Sequence, residues 1–132
     1  MSIYKAGALI IKDKKLLLVR EKDEDFFINP GGKIEKNQNP EEALKRELKE
    51  ELGIVPKRIS FFDTVKLDKA TFADGGFKME TYFVEFDGEL KPDSEIEEYK
   101  WIDSSFKREN IKLPEDLEYQ IIPRLVERGL IE

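Results

Sequence analysis

Residues 39–53 constrain the fold more than any other stretch, because a helix's start, buried face and end are all written in them. Asn39 is a good N-cap, Pro40 suits the first helical position, and Glu42 stands three residues after the cap as a capping box requires. Leu44, Leu48 and Leu52 recur every four residues and form one apolar stripe. Gly53 supplies the stop, and Pro56 prevents a restart. A striped helix has to bury that stripe against another layer.

The flanking segments supply such a layer. Ile3 to Ile11 and Leu16 to Val19 read as two strands of a hairpin around Asp13-Lys14-Lys15, the second strand largely buried. Phe26-Phe27-Ile28 reads as a short strand ending at Asn29-Pro30-Gly31-Gly32, a glycine turn that lets backbone approach a ligand closely. Ile59 to Leu67 predicts a strand with Ile59, Phe61, Asp63 and Val65 on one face. Ala70 to Gly76 reads as a loop, Phe77 to Phe86 as an alternating strand turned by Asp87-Gly88, and Glu97 to Ile102 as a last strand. Pro114 and Glu115 open a C-terminal helix to about Arg128, which Pro123 should kink and Gly129 should stop. This order of strands and helices indicates one α/β domain over residues 1–132, built on a central mixed β-sheet.

Composition narrows the chemistry. The 132 residues include no Cys and no His, which removes disulfides, thiolate nucleophiles, imidazole bases and imidazole metal ligands. Any metal must be held by oxygen, which favours hard cations such as Mg²⁺ or Mn²⁺. Lys and Arg number 23 against 29 Asp and Glu, a net charge of -6, which argues against non-specific nucleic-acid binding. A phosphate substrate remains compatible, since a bound cation inverts the local field. No apolar run approaches a membrane span, and Met-Ser-Ile-Tyr-Lys lacks a signal-peptide core, so a cytoplasmic chain is the expectation. A homodimer is left open.

On the helix, Glu47, Glu50 and Glu51 share one flank beside the leucine stripe, while Lys45 and Lys49 project to the far side. Alone, such a triplet reads as a solvated acidic face. Two neighbours change the reading: the glycine turn lies just upstream, and Arg46 offers an internal positive partner. Partly buried carboxylates at this spacing repel unless protonated or bound to a cation.

The stretch from Gly32 to Ile54 resembles the Nudix box. Every fixed position of that pattern is present (Gly32, Arg46-Glu47, Leu48, Glu50-Glu51, Gly53, Ile54) except that Gln38 stands where the first Glu belongs. Pro30-Gly31 and Tyr99-Lys100-Trp101-Ile102 also look like the family. The resemblance implies an α/β/α sandwich and metal-dependent hydrolysis of a nucleoside diphosphate linked to another moiety. It implies metal ligation by Glu47, Glu50 and Glu51 with a backbone carbonyl of Gly31 or Gly32. It implies catalytic roles for Glu50, Glu51 and Arg46, with Glu50 or Glu51 taking the proton from water, or a Glu from a distant loop (Glu95, Glu97 or Glu98) doing so. Gly32, Lys33 and Glu98 are the expected substrate contacts. Gln38 keeps a carbonyl acceptor for Arg46 but loses charge, implying reduced rather than absent activity. The stretch Asp68 to Phe72 lacks the Pro or Tyr of two family subgroups, which favours a MutT-like enzyme of nucleoside triphosphates. Phe26, Phe27, Phe72, Phe77 and Trp101 are candidates to stack on a base, most of them expected to be packing residues. The competing reading is a nucleotide-binding module of the same fold with weak or no catalysis.

Overall fold

The computed structural model describes residues 3–67, 76–93 and 95–132. In chain order the elements are β1 (Ile3–Leu9), β2 (Ile11–Lys12), β3 (Lys15–Glu21), β4 (Gly31–Lys33), α1 (Pro40–Leu52), β5 (Pro56–Leu67), β6 (Phe77–Phe86) and β7 (Ile96–Ile102). A 3₁₀ turn (Ser104–Lys107), a π-helical segment (Asp116–Ile121) and α2 (Ile122–Glu127) follow. Two sheets form. One is mixed, in the order β4-β1-β6-β5, with β1 and β6 parallel and its other neighbours antiparallel. The second is antiparallel, in the order β2-β3-β7.

Alternation along the strands feeds two cores, one on each side. Leu17 and Val19 of β3 pack with Ala6, Ala8 and the α1 residues Ala43, Leu44, Leu48 and Leu52. Leu16 and Leu18 point the other way, to Val65, Met79 and the C-terminal residues Leu117, Ile121 and Leu125. Strands buried on both faces read as apolar runs, as Leu16 to Val19 does. The layers are helix, sheets, helix, as expected. Helix α1 follows its sequence closely: Asn39 accepts from the Glu42 N–H at 2.9 Å, Glu42 accepts from the Asn39 N–H at 2.9 Å, and Gly53 takes φ 65°.

Several expectations change. The first strand breaks at Ile10, so that one continuous stretch serves both sheets as β1 and β2. Asp13 and Lys14 both take positive φ, the geometry that matches a two-residue hairpin to strand twist. Phe26 to Ile28 contributes only a bridge, Val19 to Ile28, because Phe27 turns into the core and its N–H goes to the Lys112 carbonyl. The Gly31-Gly32 turn is instead strand β4, paired antiparallel with β1, Gly31 opposite Gly7. Strand β5 starts at Pro56, an edge position where no ladder N–H is required. Its four residues do not share a face, since the register against β6 shifts between Phe61 and Asp63. The bulge turns Ile59 to the α1 side and Val65 to the opposite core. Pro123 does more than kink the last helix. It lacks an N–H and crowds the carbonyl four residues back, and the preceding turn widens so that the Ile122 N–H reaches Leu117. Ala70 to Gly75 of the expected loop lies outside the described residues. Among the described residues no helix is long and apolar enough to cross a membrane.

The stripe of α1 carries the helix, so Leu48→Ala should lower unfolding free energy by about 2–5 kcal/mol. Tyr119→Ala, at a side chain 66% exposed, should change it by less than about 0.5 kcal/mol. Urea unfolding of both variants checks the contrast.

Candidate functional site

The site begins where β4 crosses α1. At φ 141° Gly31 has a backbone that L side chains rarely adopt, and a Cβ there would stand 2.1 Å from the Ala6 carbonyl oxygen. A Cβ on Gly32 would stand 2.3 Å from the carboxyl carbon of Glu47. The bare Gly32 therefore lets the strand lie directly against the helix's acidic flank, and the bare Gly31 lets it lie close against β1. The Gly31 N–H donates to Glu51 Oε1 at 2.9 Å, fixing that carboxylate.

Arg46 organises the rest. It donates to Glu47 Oε1 at 2.8 Å, to the Lys33 carbonyl at 3.1 Å and to Gln38 Oε1 at 3.2 Å, and lies 3.5 Å from Glu50 Oε2. Its Nε is buried and without a partner among the described residues. Gln38 Oε1 also accepts from the Glu35 N–H at 3.2 Å. The substituted box position thus still closes the loop on Arg46 through its carbonyl oxygen, as expected.

The three glutamates differ in environment. Glu47 and Glu51 are half-buried, whereas the Glu50 side chain is 60% exposed. Burial pushes the Glu51 carboxyl up to about 8, against the pull of the Gly31 N–H and with a further push from Glu47. Burial also raises Glu47, opposed by Arg46. All three open onto a pocket of about 200 Å³ that Asp93 and Glu95 complete. Among the described residues no three acidic side chains are gathered as a ready-made metal cluster; Arg46 holds Glu47, and the Gly31 N–H holds Glu51. The donor set nevertheless suits a hard divalent cation. It is all carboxylate, and two members are burdened by burial that a cation would relieve.

A larger cleft of about 510 Å³ shares Glu47, Glu51 and Glu95 and extends to Asn29, Phe77 and Asp116. Of the expected substrate contacts, Gly32 and Lys33 line it, and Glu98 does not. Glu98 sits on β7 opposite Arg20, 3.4 Å from its Nε. Among the three acids preceding Trp101, Glu95 is the one at the cleft. Phe26 and Phe77 line the cleft, Phe27 is core, and Trp101 packs on the α1 side. Phe72 and the whole Asp68 to Phe72 stretch lie outside the described residues.

Lys5, Asn29 and Asp116 are among the cleft residues that were not expected. Asn29 and Asp116 are 5% and 4% exposed, and burial raises the Asp116 carboxyl. Asn29 had a signal in its place next to Pro30-Gly31. Lys5, a charge in an apolar strand, had another. Asp116 had none, because its burial depends on the π-helical turn.

Three outcomes follow. Gly31→Ala meets backbone and should cost at least about 2 kcal/mol in urea unfolding. Gly32→Ala meets a movable carboxylate and should leave the fold intact while weakening Mn²⁺ binding about tenfold, read by titration calorimetry. In EDTA, between about pH 4.5 and 8, the native state keeps a Glu51 proton that the unfolded chain has released, so stability should fall as pH rises. Glu51→Gln should flatten that slope in unfolding measured at successive pH values.

The family model described as a NUDIX domain matches residues 1–114. An ADP-ribose pyrophosphatase of Methanocaldococcus jannaschii is 46% identical over 52 residues, 37% of this chain and 31% of that protein. An 8-oxo-dGTP diphosphatase of Proteus vulgaris is 51% identical over 43 residues, 33% of this chain and 38% of that protein. The chain therefore spans about a third of the length of these relatives. The solution structure of the Escherichia coli ORF135 protein superposes with a TM-score of 0.76 at 24% identity, covering 97% of this chain and 91% of that one, a likeness of fold. With its box built on β4 and α1, and a domain match over most of its length, the chain belongs to the Nudix family.

Proposed function

We propose that the chain is a metal-dependent pyrophosphohydrolase that cleaves a nucleoside triphosphate of the MutT type to the monophosphate and pyrophosphate. The observation that carries this reading is the half-buried Glu51, held by Gly31 beside Glu47 and Glu50, at the junction of an acidic pocket with a larger cleft. Glu47, Glu50 and Glu51 would hold Mg²⁺ or Mn²⁺, with Gly31 or Gly32 offering a backbone carbonyl. When bound, such a cation neutralises phosphate oxygens and acidifies a water.

The chain's own residues do the remaining work. Arg46 keeps Glu47 and Glu50 on one side of the helix and ties them to the strand through Lys33 and Gln38. Glu50 or Glu51 accepts the proton of the attacking water, or Glu95, which lines the same pocket from outside the helix, does so instead. The nucleoside extends along the cleft, where Phe77 offers a ring and Asn29 and Asp116 offer buried hydrogen-bonding groups to a base edge. Those two groups offer both donors and acceptors to a base edge.

The test is a panel of canonical and oxidised deoxynucleoside triphosphates, ADP-ribose and dinucleotides, incubated with Mg²⁺ or Mn²⁺ and read by product identification. Pyrophosphate plus monophosphate from a triphosphate is the expected outcome. Glu51→Gln should lose at least about 100-fold in turnover. Preferred hydrolysis of ADP-ribose would reassign the substrate, and no hydrolysis of any compound would overturn the reading. Gln38→Glu should raise turnover, since it adds charge opposite Arg46 without removing an acceptor; a fall contradicts the role given to Gln38.

A further inference from the structure

Asn29 sits in a seat shaped by two strands. Its Nδ2 donates to Met79 Sδ of β6 at 3.6 Å. A Cβ on Gly7 of β1 would stand 2.3 Å from that Nδ2 and 2.6 Å from the sulfur. Gly7 is not one of the glycines with positive φ, so its bare Cα makes room here and does not serve a turn. The backbone beside Asn29 is pinned as well, since the Pro30 carbonyl accepts from the Ala8 N–H at 2.8 Å. Asn29 and Met79 both line the larger cleft.

A thioether sulfur accepts weakly and has no hydrogen to donate. Only the amino end of the Asn29 amide can face it, because the oxygen would set lone pairs against lone pairs. The amide is therefore fixed in one sense, with its oxygen turned away from Met79. Among the described residues Asn29 Oδ1 has no hydrogen-bond partner. Among the same residues Arg46 Nε is the fully buried side-chain polar atom that lacks one, so Asn29 Oδ1 is open to the cleft. An acceptor held at a nearly closed site gains from an N–H and loses from another acceptor.

We propose that Asn29 is a specificity-determining residue that accepts an N–H of the substrate's base, and that Gly7 and Met79 are positioning residues that hold its amide in that sense. The proposal rests on the hydrolase reading and deepens it by naming the base group that is read.

The best-hydrolysed triphosphate is compared with analogues that each lack one base N–H, a deamino analogue for an exocyclic amine and an N-methyl analogue for a ring N–H. In the wild type one such loss should raise KM about tenfold, the size of one hydrogen bond. Met79→Leu keeps the volume and removes the acceptor, so the amide can turn and the discrimination should disappear, carried by KM more than by kcat. Gly7→Ala, which displaces both groups, should do the same. Asn29→Leu should match Met79→Leu, and the double variant should lose no more than either single one. The Asn29 side-chain amide protons should exchange slowly in the wild type and faster in Met79→Leu. A methionine that only filled the core would change urea unfolding and leave the discrimination intact.

Discrimination retained in Met79→Leu, or absent for every analogue in a wild type that does hydrolyse triphosphates, overturns the assignment and spares the hydrolase reading. A wild type that hydrolyses no nucleotide overturns both.

Discussion

The whole site depends on how closely a strand can approach a helix. Side chains normally hold packed layers of secondary structure about 10 Å apart. At Gly31 and Gly32 there is no side chain to do so, and the backbone of β4 touches the acidic flank of α1 directly. That contact turns an otherwise solvated carboxylate into a half-buried one held by a backbone N–H. A Cβ at Gly32 would push the Glu47 carboxylate away, and one at Gly31 would collide with the backbone of β1.

Burying like charges costs free energy, and the fold offsets it with few partners. Arg46 is shared among Glu47, Glu50, Gln38 and the Lys33 carbonyl, so each interaction is made at the expense of ideal geometry in the others. Glu51 receives one backbone N–H and remains the most strongly raised carboxyl of the helix. The arrangement is stable enough to stay ordered and poor enough to gain from a cation. That is the balance a binding site for a divalent ion requires.

What could be read from the residues alone was what local chemistry decides. The capping box of Asn39 and Glu42, the leucine stripe and the αL Gly53 involve contacts within one helix, and all appear as the spacing implied. The flank of Glu47, Glu50 and Glu51 followed from helical geometry, within which Glu50 proves the more exposed. Strand β4 could not be read, because its pairing rests on the absence of side chains opposite Gly7, a tertiary fact. The β5 bulge escaped for a similar reason: a period-two pattern assumes an uninterrupted ladder, and one extra residue against β6 reverses the faces. Glu98 and Glu95 are equivalent in type and close in sequence. Only the placement of β7 beside β3 sends the former to Arg20 and leaves the latter at the cleft.

The passage from β1 to β2 carries a mechanical implication. The chain crosses from the mixed sheet to the antiparallel one at Ile10 with no loop between them, and the Ile10 carbonyl is taken by the Leu17 N–H at 2.9 Å. Along this strand the two sheets share a stiff seam instead of a hinge. Prying them apart would break a buried ladder before it widened any opening. Any widening of the cleft therefore has to come from elements other than this seam.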